Sequence, residues 1–224
     1  MTFNKSKILA LLAFIMNRKI KKLDWANLNK YKDENTQITA LPFDEKRIVF
    51  FGDSITAGWK IDDPKFFDNK KHINRGINGQ TTSQMLIRFK QDVIEPKPQK
   101  VIILAGTNDI AGNTGPTTLE TIIENIISMC ELAKTNNIKA VLCSILPAFD
   151  YPWRKGTQPA EKIAALNTMI LQYAAANEIV YVDYYSDMVD EQKRLQSIYS
   201  YDGVHPNRKG YFTMKSILET KIFV

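Results

Sequence analysis

The sequence predicts one three-layer α/β/α domain in which helices cover both faces of a parallel sheet. Three observations lead there. Val101, Ile102, Ile103 and Leu104, and again Ala140, Val141, Leu142 and Cys143, are continuous apolar runs without alternation, the pattern of strands buried on both faces. Short runs of this kind alternate with longer stretches of helical periodicity, as in a doubly wound fold. Finally, 224 residues, 44% of them hydrophobic, suffice for one substantial core and are too few for two.

Residues 1–22 form a basic and apolar segment ahead of a domain over 23–224. Lys5 and Lys7 precede an apolar run over 8–16, long enough for the core of an export signal and too short for a membrane span. No small-x-small cleavage site follows. Two readings therefore stand: an exported protein, or a cytoplasmic one that begins with a short amphipathic or uncleaved segment. No stable membrane insertion is expected. Over 24–38 the chain is polar, and Trp25, Leu28, Tyr31 and Ile38 are spaced to share one apolar face, which predicts an edge helix. Strands are expected over 47–51, 72–75, 100–105, 140–145 and 179–182, and helices over 83–95, 118–136, 160–177 and 208–222. The stretch 147–159, with Pro147, Pro152, Gly156 and Pro159, is the one long loop, a place where function often resides.

Composition removes several classes of function. The formal charge of +6 comes from Lys5, Lys7, Arg18, Lys19, Lys21 and Lys22; beyond them 24 basic residues balance 24 acidic ones. A nucleic-acid partner needs a basic face on the folded domain, so none is expected. Cys130 and Cys143 fall in a helix and a core strand and read as buried thiols. With only His72 and His205, and no clustered ligands, the chain calls for neither metal nor cofactor. No periodicity fixes an oligomeric state.

In a doubly wound sheet, ligands bind beyond the carboxyl ends of the strands. Three expected strands end in glycine and small polar residues: Gly52-Asp53-Ser54, the run from Gly76 to Thr82, and Gly106-Thr107-Asn108-Asp109. A serine nucleophile needs a base, a group that orients the base, and donors for the developing oxyanion. His72 opens a strand and reads as a packing residue. His205 lies in a loop before the last helix, with Asp202 three residues upstream to fix its tautomer. Each segment also has a plainer account, as a capped turn, an anion nest or a helix start. Asp53 and Asp109 read as capping residues and Lys60 and Arg154 as solvated; Trp59, Tyr151 and Trp153 could line an acyl or sugar pocket, but read first as core or rim packing.

Together the segments Phe51 to Thr56, Asn74 to Thr82, Gly106 to Asp109 and Asp202 to Pro206 resemble, in order, the four sequence blocks of the GDSL or SGNH hydrolase family. Within it the chain is most similar to platelet-activating-factor acetylhydrolase-like and lysophospholipase-like esterases, a subgroup that also includes carbohydrate deacetylases. The resemblance implies a flavodoxin-like five-stranded parallel sheet and hydrolysis of small acyl esters, acetyl foremost, on carbohydrate or lipid. It makes Ser54 the nucleophile, His205 the base and Asp202 its orienting acid. It gives the oxyanion to the N–H groups of Ser54 and Gly79 and to the side-chain amide of Asn108. The expected partner is a small-molecule or glycan ester. An α/β-hydrolase elbow is disfavoured because Thr56 stands where that motif needs glycine. A non-catalytic sugar- or anion-binding module is the alternative from another class; it would have no need of Asp202 or His205.

Overall fold

Five parallel strands, β1 (Ile48–Gly52), β2 (His72–Gly76), β3 (Lys100–Leu104), β4 (Lys139–Cys143) and β5 (Val180–Val182), form a sheet in the order β2-β1-β3-β4-β5. This computed structural model describes residues 24–68 and 71–222; the basic and apolar segment lies outside them.

Successive side chains along each strand point to opposite faces, which divides the core in two. Val49, Phe51, Val101, Ile103 and Leu142 face one layer, which includes α4 (Thr82–Phe89), α6 (Leu119–Thr135) and α7 (Ala160–Ala176). Ile48, Phe50, Ile102, Leu104, Val141 and Cys143 face the other, built from α2 (Ser54–Asp62), α3 (Pro64–Phe67), α8 (Tyr184–Met188) and α9 (Arg208–Ile222). With both faces covered, β1, β3 and β4 carry continuous apolar runs, which is why those runs were diagnostic. Cys130 and Cys143 are buried free thiols, and His72 packs on Phe66 with its Nδ1 against the Phe66 carbonyl.

The edge element departs from expectation. Only α1 (Lys32–Thr39) is helical, while residues 24–31 form turns, and Trp25 and Leu28 are exposed instead of sharing a buried face. The Asp24 carboxylate accepts bonds from the Leu28 and Asn29 amides, and Asn27 takes a left-handed φ of 56°, so side-chain and turn bonding replaces the first helical turns. The other helices match to within a residue or two, except that α4 continues into a π-helical stretch, Lys90–Ile94.

A buried polar network locks this edge to the end of β1. Arg88, fully buried, pairs with Asp92 at 2.8 Å, donates to the Gly52 carbonyl at 2.9 Å and holds the Gln80 side chain. Asp92 also accepts from Asn35 of α1, whose carbonyl oxygen takes a bond from Arg75. Breaking such a pair from one side costs about 3–5 kcal/mol because the other charge is left unpaired.

Candidate active site

The chain leaves β1, crosses to β2 on one side and returns to β3 on the other, so the topological switch lies between β1 and β3. The segments singled out from sequence follow these strands, at the edge where ligands bind in such sheets.

Asp53 is the N-cap of α2, its carboxylate accepting from the Ile55 amide at 2.9 Å. Ser54 is thus the first helical residue, with a backbone N–H that the helix itself does not use. Tight packing of α2 across the strand ends requires a glycine at 76, where a Cβ would collide with the Ala57 backbone. Ser54 Oγ lies 3.0 Å from His205 Nε2, and His205 Nδ1 lies 2.7 Å from Asp202 Oδ2. Asp202 Oδ1 accepts from the amides of Val204 and His205 at 2.9 and 2.8 Å. Partial burial works against the charged Asp202, but the bonds from the His205 ring and these amides outweigh it and hold the pKa at about 2. Asp202 is therefore ionised at neutral pH.

On the other side of Ser54, Gly79 takes a φ of 75°, a left-handed conformation suited to glycine. Asn108 lies on α5 (Thr107–Ile110), the short helix after β3, and is 2% exposed. Its amide nitrogen donates to Asp53 Oδ2 and to the Gln80 carbonyl, both at 3.0 Å. Both hydrogens are thus engaged in the resting site. Burial, opposed in part by the Ile55 amide, pushes Asp53 up to about 6. Asp109 accepts from the Thr82 amide and hydroxyl, anchoring the start of α4.

Sequence reasoning missed Asn113 and Ser200 here and ranked Trp153 first as packing. Asn113 donates to the Gly79 carbonyl at 3.1 Å and to Asn108 Oδ1 at 2.8 Å, and accepts from Trp153 Nε1 at 3.1 Å. It ties both candidate donor segments to the long loop. Trp153 stacks on buried Tyr151 and places its ring 5.8 Å from that of His205, as a wall of the site and not merely packing. Ser200 Oγ accepts from the Gly203 amide and donates to the His205 carbonyl at 2.7 Å, bracing the histidine loop. Arg154 is exposed, as expected, but its guanidinium also donates to the Ala111 and Gly112 carbonyls next to Asn113. No motif flags Asn113, because its partners come from three separate segments.

Residues 50–211 match the model of the GDSL-like Lipase/Acylhydrolase family, and the chain belongs to that family. The class so defined is an ester-cleaving acylhydrolase. The chain is similar to a GDSL-like lipase from Bacteroides thetaiotaomicron VPI-5482, with 47% identity, 87% of this chain and 96% of that one covered, and a TM-score of 0.84. It is likewise similar to a Bacteroides fragilis NCTC 9343 protein assigned as an acylhydrolase, with 45% identity, coverage of 88% and 95%, and a TM-score of 0.85. Over 120 residues it is 32% identical to the uncharacterized lipoprotein YqeF of Bacillus subtilis strain 168, across 46% of this chain and 49% of that protein. The match thus spans about half the length of that curated relative. Among the described residues, no helix is long and apolar enough to cross a membrane.

Proposed function

We propose that this protein is a serine ester hydrolase that removes small acyl groups, acetyl foremost, from carbohydrate or lipid alcohols through an acyl-enzyme intermediate. The observation that carries the reading is the continuous path from Ser54 Oγ to His205 to Asp202, at 3.0 and 2.7 Å. A module that only bound its ligand would have no use for it.

Ser54 Oγ attacks the ester carbonyl carbon as its proton passes to His205 Nε2. Asp202, ionised, accepts from Nδ1–H and stabilises the imidazolium. The oxyanion is taken by the N–H groups of Ser54 and Gly79 and by the Asn108 amide, which turns one hydrogen from the Gln80 carbonyl to the substrate. Collapse of the tetrahedral intermediate expels the alcohol, which receives the proton from His205. Water, deprotonated by the same imidazole, then hydrolyses the acyl-serine. The preference for a short acyl group rests on the subgroup that the sequence blocks resemble. Export is supported by the likeness to a lipoprotein and by the basic and apolar pattern of residues 5–16.

Hydrolysis of p-nitrophenyl esters of increasing acyl length, with Ser54→Ala in parallel, tests the reading. Rates should fall steeply beyond propionyl, and the variant should lose several powers of ten. Equal rates in the two proteins would mean that Ser54 is not the nucleophile.

A further inference from the structure

We infer that residues 24–29, together with the loops after β2 and β3, form a saccharide-binding subsite next to the oxyanion side of the active site. The inference rests on the ester-hydrolase reading and names the substrate's alcohol part: a neutral sugar chain that extends beyond the ester.

A groove of about 570 Å³ lies between the 24–29 turn and the loops carrying Gly79 and Asn113. One candidate oxyanion donor, Gly79, therefore lines the groove as well. The turn is fixed from below by three glutamines: Gln84, Gln80 and Gln91 donate to the carbonyls of Trp25, Ala26 and Leu28 at 2.6, 2.7 and 2.6 Å. Asp24 closes it from above through the Leu28 and Asn29 amides. A single exposed aromatic on a surface means little, but this one is carried on a segment held at four points and lines the groove, with Trp25 left 46% exposed.

The chemistry of the lining selects the ligand. Among the described residues Asp24 is its one ionisable side chain, and that carboxylate is already bonded to Leu28 and Asn29. Among the described residues no cation lines the groove to receive a phosphate or a lipid headgroup. The side chains of Asn27 and Asn78 make no hydrogen bond among the described residues, and each offers a donor and an acceptor on one planar group, a match for adjacent hydroxyls. An indole beside such amides supplies an apolar face for the C–H side of a sugar ring and a polar N–H at its edge. The turn lies outside residues 50–211, the stretch that the family model matches.

The test compares full-length protein, Trp25→Ala, Trp25→Phe and Asn78→Ala on p-nitrophenyl acetate and on O-acetylated xylo-oligosaccharides from one sugar to about four. In the unmodified protein kcat/KM should rise with chain length. Trp25→Ala should remove the rise by increasing KM about tenfold, Trp25→Phe should keep most of it, and Asn78→Ala should weaken it severalfold, all with p-nitrophenyl acetate turnover unchanged. Rates independent of chain length, or equal losses on both substrates, overturn the inference. Cleavage of p-nitrophenyl acetate with no saccharide cleavage overturns it and leaves the esterase reading standing, as does a preference for lysophosphatidylcholine whose KM shifts in Trp25→Ala. If no ester is cleaved, the esterase reading falls, and quenching of tryptophan fluorescence by unacetylated xylotetraose decides the groove: quenching lost in Trp25→Ala supports it, and no quenching overturns it.

Discussion

The two sides of Ser54 are built in opposite ways. On the histidine side, the bonds that shape the loop over 200–206 span five residues or fewer, and His205 and Asp202 remain well exposed. On the amide side, Asn108 is buried and its bonds reach 55 residues back to Asp53 and 28 back to Gln80. The histidine side is thus a turn braced largely by its own short-range bonds, with Val204 anchoring it in the core. The amide side exists only once β1, β2 and β3 are assembled. Substitutions on the first should strip activity and leave the fold, whereas those on the second should disturb both.

The largest effect that sharpens this contrast is expected for Asp202→Asn, a loss of about 10⁴ in kcat. An amide there either presents N–H to Nδ1 or turns its N–H against the Val204 and His205 amides, so neither orientation serves. Thermal unfolding should shift little. A variant with more than a tenth of the activity would remove the orienting role. Next, Asn108→Ala should cost about 10²–10³ in kcat, and, by leaving buried Asp53 short of a donor, about 1–3 kcal/mol of stability in denaturant titration. Loss of activity without loss of stability would erase the contrast. A smaller effect is expected at Asn113, which touches both donor segments but is itself exposed. Asn113→Ala should lower kcat about tenfold with KM nearly constant, the signature of a looser oxyanion hole. A change confined to KM would make it a substrate contact instead.

The same contrast explains what was legible in the sequence. The apolar runs announce the sheet because burial on two faces demands them. Asp202 and His205 are legible because three residues suffice to bring carboxylate and imidazole together, and Ser54 because it follows a strand through Gly52 and Asp53. Asn108 and Gly79 entered only through resemblance to known blocks, since nothing local shows that their amides converge. Asn113 and Ser200 were missed, and Trp153 was ranked first as packing, for the same reason: an ordinary polar or aromatic residue acquires its place from its surroundings in the fold. The turn at 24–31 failed differently. Its apolar spacing was real, but Asp24 satisfied the backbone locally and the carbonyls went to three glutamines instead of to a helix.

The smallest effect concerns Asp53, the residue that joins the two sides by capping α2 and holding Asn108. Burial raises its pKa from 3.8 to about 6, so the folded protein favours the protonated form more than the unfolded chain does. Its contribution to stability is therefore fully present below about pH 4 and is lost as the pH rises through 6, by at most about 3 kcal/mol. Asp202 works in the opposite sense, losing its contribution as the pH falls from 3.8 to about 2, so it is silent in that window. Asp53→Asn removes the titration, and the fall in Tm between pH 4 and pH 7 should be several degrees smaller in the variant than in the unmodified protein. Equal slopes would mean that Asp53 keeps an ordinary acidity, and that the Asn108 amide donates to a carboxylate already charged at pH 4.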